Sequence, residues 1–145
     1  MDFLTQNDFT GILSAGVITK LGGGFDEAES LAVSELDPLR GKFNVDAELA
    51  KDGANRNATL VRIMVHITAY YLYNTVPDDE IPQRIIDNWK KELATIEKIA
   101  GGKINSTLET LTSDTGKTIT MYRWGSNKTR SHELYPRAIS DEEAV

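Results

Sequence analysis

No cysteine occurs in the 145 residues, which removes disulfides, thiolate metal ligands and a cysteine nucleophile together. Histidine is nearly as scarce. His66 and His132 are far apart and neither has a second histidine at metal-ligand spacing, so a zinc or iron site lacks its usual donors. No apolar run reaches membrane-spanning length, and the N-terminal "MDFLTQNDFTGIL" carries an acid where a secretory signal needs positive charge. A cytoplasmic site of synthesis with no membrane contact is expected, which makes the sequons at Asn57, Asn105 and Asn127 chance matches. No GxSxG elbow presents a serine nucleophile, and no pair of carboxylates stands in separable acid and base environments. The expectation is a protein that is not an enzyme and uses no cofactor or metal.

What remains is ordinary for one globular domain: 40% hydrophobic and 26% charged residues, with a formal net charge of -6. That charge disfavours a DNA-binding module, which relies on clustered Lys and Arg. Residues 1–102 hold 10 Lys and Arg against 16 Asp and Glu, whereas residues 103–145 hold 6 of each. An acidic body is followed by a neutral tail with a basic stretch.

Hydrophobic spacing organises the body into helices. Thr5, with Asp8 three residues on and Leu4 placed to pack on Phe9, signals a first helix start. "LGGGF" at 21–25 reads as a turn or hinge, and Asp26 with Glu29 resembles a second capping box. The helix that follows should bury Ala28, Leu31, Ala32, Leu36 and Leu39, ending or kinking near Pro38. Residues 40–58 are polar and turn-rich, a long loop with room for one helical turn.

From Ala58 to Val76 the chain is apolar nearly all round, with only Arg62, His66 and Tyr73 as a thin polar stripe, which predicts the central helix of a bundle. His66 in that stripe reads as a packed or hydrogen-bonded residue. Asp78, Asp79 and Glu80 put negative charge at the next helix start, and Pro82 suits its first turn. Ile85, Trp89, Leu93, Ile96 and Ala100 then recur at spacings of four and three, with Lys90, Lys91, Glu92, Glu97 and Lys98 facing away.

Gly101, Gly102 and Lys103 carry the glycine-lysine pattern of a phosphate loop. A phosphate loop needs a helix after its glycines, and here the helix comes before them. The pair is expected to be a helix C-cap or hinge. Beyond it, "TLETLTS" and "KTITMYRW" suit strands around a "DTG" turn, so a small β-hairpin or extended arm is predicted. The fold class expected is mainly α: a bundle of about four helices over residues 1–103, with a hairpin or arm over 104–145.

In that arm Tyr122, Arg123 and Trp124 precede Lys128 and Arg130, and Leu134 and Tyr135 follow. Interleaved aromatic and basic residues suit an oligomer or partner interface, a hairpin packed on its own bundle, or single-stranded nucleic acid.

With these residues in view, the chain resembles the head-to-tail adaptor, or head-completion, proteins of tailed phages of the Mu-like type. The resemblance covers residues 1 to about 104. It rests on helix order, on Ile67, Ala69, Tyr70, Leu72 and Tyr73 in the apolar helix, and on Ile99, Ala100, Gly102 and Lys103 at the end of the last one. After the second helix the chain reads Arg40, Gly41, Lys42, Phe43, where family members often carry Arg-Tyr and then proline. The resemblance implies a virion structural protein of the neck, made in the host cytoplasm. It would join copies of itself into a homo-oligomeric ring, twelve-fold by that likeness, touching the portal and other neck or tail proteins. DNA would pass non-specifically through the channel. The alternative from another class is a free cytoplasmic helical regulator or nucleic-acid-binding module using the basic C-terminal segment.

Overall fold

A computed structural model of the chain describes residues 3–75 and 80–112. Among these residues the secondary structure is helical throughout: α1 Ala15–Leu21, α2 Phe25–Ser34, α3 Asp37–Arg40, α4 Val45–Leu49, α5 Ala58–Asn74 and α6 Gln83–Ala100. Single 3₁₀ turns at Gln6–Phe9, Gly22–Gly24 and Gly53–Asn55 complete it.

Asn57 starts α5 by accepting hydrogen bonds from the Thr59 and Leu60 N–H groups, two of the donors a helix start leaves unpaired. The helix then buries Leu60, Ile63, Met64, Val65, Ile67, Thr68, Ala69 and Leu72. Burial this wide needs cover on more than one side. It comes from α2 and α6, which make the two most extensive contacts in the structure, both with α5. The α5–α6 pair is antiparallel, since His66 meets Glu92 while Tyr70, further along α5, meets the earlier Trp89. Leu36 and Leu39 are fully buried on either side of Pro38, which takes a first-turn position in α3.

Several expectations change. The capping contact at Thr5 exists, with Asp8 accepting the Thr5 N–H at 2.7 Å, but it starts only a 3₁₀ turn. Gly11, at φ +89, ends that region, and α1 begins anew with Ser14 as its cap. Asp26 and Glu29 form no capping box. Gly24 is the N-cap of α2, and Glu29 is buried, accepting the Leu4 N–H at 3.0 Å. Leu31 is 41% exposed instead of buried. The loop over 40–58 holds α4 and a 3₁₀ turn, with Phe43, Val45 and Leu49 in the core.

The β-hairpin is also corrected. No β-strand exists among the described residues, and the fold is an all-helical bundle. Residues 109–111 form an isolated bridge region against the loop before α4. Asn44 N–H donates to Glu109 O at 2.8 Å, and Leu111 N–H to Lys42 O at 3.1 Å. Leu108 is the reason: its side chain is buried in the core, which draws this segment onto the helical body. The second predicted strand, 117–124, lies outside the described residues, as do Asp78 and Asp79.

Candidate functional site

The polar stripe of α5 meets α6 at a buried carboxylate. Glu92 is 1% exposed. His66 Nδ1 lies 2.9 Å from Glu92 Oε1, Arg62 Nε lies 3.3 Å from the same oxygen, and an Arg62 terminal nitrogen is 3.4 Å from Oε2. Ionised Glu92 only accepts, so the proton of that hydrogen bond sits on His66 Nδ1. Burial pushes the Glu92 carboxyl upward, but the His66 hydrogen bond and the Arg62 and Lys91 charges outweigh it and hold the group below its ordinary value. The arrangement fastens α5 to α6 and leaves Arg62 53% exposed at the surface.

An aromatic run continues from it. Trp89 stacks on Tyr70, with ring centroids 4.0 Å apart and planes within 5°, and Tyr70 meets Tyr71 edge-on. The Tyr71 hydroxyl donates a short hydrogen bond to the Glu35 carboxylate, tying α5 to the end of α2. Burial, then this bond, pushes the Tyr71 phenol up to about 12.

On the other side of Arg62 lies an open cleft of about 450 Å³. It is lined by the apolar Ile12, Ala54, Ala58, Val61 and Val65 together with Asp8, Arg56 and Arg62. Arg56 is committed to Asp8 at 2.7 and 3.0 Å and to Phe3 O at 2.8 Å, which pins the N-terminal segment and holds the Asp8 carboxyl low.

The third polar centre is Glu48 on α4, 2% exposed. Its Oε1 accepts the Glu109 N–H at 2.8 Å and pairs with Lys51 Nζ at 3.1 Å. Asn57 adds a side-chain bond to Thr107 at 2.9 Å. Together these hold the segment that follows α6.

Gly101 is the C-cap of α6, and Gly102 is at φ +71. Gly102 N–H donates to Ile99 O and Lys103 N–H to Lys98 O, the pattern of a left-handed helix terminus. The carbonyl end of the helix therefore points at these glycines. Tyr122, Arg123, Trp124, Lys128, Arg130, Leu134 and Tyr135, the residues singled out for an interface, all lie outside the described residues. Among the described residues no group of three or more His, Cys, Asp or Glu is placed to hold a metal ion.

Glu92 was read as solvent-facing, and the structure corrects this. Counting the α6 stripe as 85, 89, 92, 96, 99 puts Glu92 on it; the buried set is Ile85, Glu92, Ile96 and Ile99, with Trp89, Leu93 and Ala100 partly buried against the core. The signal was available in the spacing, but the charge of the residue type masked it. In comparisons with known proteins, the chain matches no family model, no curated protein and no solved structure.

Proposed function

We propose that this chain is a structural protein of a phage neck, a helical protomer that joins copies of itself into a ring between portal and tail. One observation carries the reading. The residues of the resemblance serve the helical body: Ile67, Ala69 and Leu72 are in the core, Tyr70 and Tyr73 border it, Ile99 and Ala100 end α6, and Gly102 follows its C-cap. The helices on which the resemblance rests, α2, α5 and α6, are the ones that make the main contacts of the body.

The acidic body suits a channel through which DNA slides without adhering. Residues 113–145, with the interleaved aromatic and basic positions, are then the part that meets neighbouring neck proteins or the portal. The direct test is negative-stain microscopy and mass photometry of the full chain. Closed rings are expected; a monomer at every concentration, together with a salt-dependent gel shift on DNA, would favour the regulator instead.

A further inference from the structure

The segment after α6 is attached in an unusual direction. Its hydrogen bonds to other parts of the body run to residues 42–57: Lys42 O, Asn44 N, the Glu48 carboxylate and the Asn57 side chain. Between this strap and α6 stand residues 101–105, all five exposed, beginning with the two glycines. Ile104 among them is 43% exposed, a large apolar side chain left in water.

We propose that residues 106–111 are an exchangeable strap, and that the seat formed by the loop before α4 together with Glu48 receives the strap of a second copy of this chain. The seat offers what an added extended segment needs. Two backbone groups, Lys42 O and Asn44 N–H, pair edge-on with the incoming chain, and a core site takes Leu108. Glu48 Oε1 takes the Glu109 N–H, and Lys51 reaches the Glu109 carboxylate at 3.5 Å. A second copy presents the same strap, so exchange preserves each of these contacts, and the cost falls on the exposed 101–105 linker, whose Lys103 and Ile104 N–H bonds to Lys98 O are disturbed where it changes course. The helices keep their packing, and the buried group that moves is Leu108, whose place in the core is taken by Leu108 of the second copy. The exchange deepens the ring-forming reading, and rests on it, by naming the contact between copies.

The absence of cysteine makes a clean test possible. Single variants Lys51→Cys and Glu109→Cys, both at exposed ends of the seat-strap ion pair, are mixed at high concentration and treated with a short bismaleimide. Covalent heterodimers several-fold in excess of the homodimers from either variant alone are expected. Adding Leu111→Pro to the strap variant removes the N–H that donates to Lys42 O and should cut the heterodimer yield several-fold, with helical circular dichroism unchanged. A double Lys51→Cys, Glu109→Cys chain that links only within itself, with no heterodimer in the mixture at any concentration, overturns the proposal. So does a heterodimer yield that ignores Leu111→Pro. Rings seen by microscopy without heterodimers would discard the exchange and keep the neck reading; heterodimers without rings would do the reverse.

Discussion

Glu92 shows how one side chain can govern the join between two helices. Removing it with Glu92→Ala leaves His66 and Arg62 without their acceptor. A fully buried pair broken this way costs ~3–5 kcal/mol, and the half-exposed Arg62 recovers part of that from water, so a loss of about 2–3 kcal/mol is expected in urea unfolding. The carboxyls of Glu92 and Asp8 are both held below their ordinary values of 4.5 and 3.8. Their contribution is therefore complete above the ordinary carboxylate range and is lost as pH falls through the depressed values. Calorimetry should show a melting temperature that drops steeply below about pH 4, with a shallower drop in Glu92→Gln. Tyr71 has the opposite sign. Its raised phenol contributes stability below the ordinary value of 10 that is lost as pH rises through about 12. A spectrophotometric titration should show a phenolate step displaced above the ordinary value of 10, and Tyr71→Phe should remove it.

At the scale of elements, what could be read from the sequence followed periodicity. α5 and α6 were visible because long apolar patterns leave little choice, and the glycines after Ala100 marked their own helix end. α1 was not, since a helix of seven residues carries too few positions to show a period, and of α4 only the room for one helical turn in the 40–58 loop could be read. The hairpin was misread because Thr-rich composition favours extended backbone without saying what it pairs with. Leu108 decided that. For the candidate site, His66 and Arg62 were seen as a polar stripe, yet their partner Glu92 was assigned to solvent on residue type alone. Gly102→Ala tests the helix terminus: a side chain at φ +71 costs about 1–2 kcal/mol, and Gly102→Asn should cost less. Thermal unfolding of the two variants checks the order. At Gly24 the constraint is space, since an added Cβ would sit 3.1 Å from Thr75 Oγ1, where the start of α2 meets the end of α5.

For the whole molecule, a truncation separates body from assembly. Removing residues 113–145 keeps Leu108 and the Glu48 contacts, so the helical circular dichroism of the body should persist. Incorporation into virions should stop; normal incorporation of the shortened chain would sink the proposed role of that segment. The charge balance belongs to this scale too, because an acidic body repels other copies at long range and specific short-range contacts must overcome it. The proposed assembly should therefore strengthen with added salt, a trend that light scattering would follow.

The placement of α5 between an earlier helix and a later one also affects how the chain is made. α2 is complete before α5 is synthesised, so one side of the central helix is covered as soon as it emerges. The other side waits for α6, whose last residue follows Asn74 by ~26 positions, about 1–5 s at ordinary rates of translation. During that interval the nascent protein shows its greasiest surface to the cell. Holding chaperones would find it then.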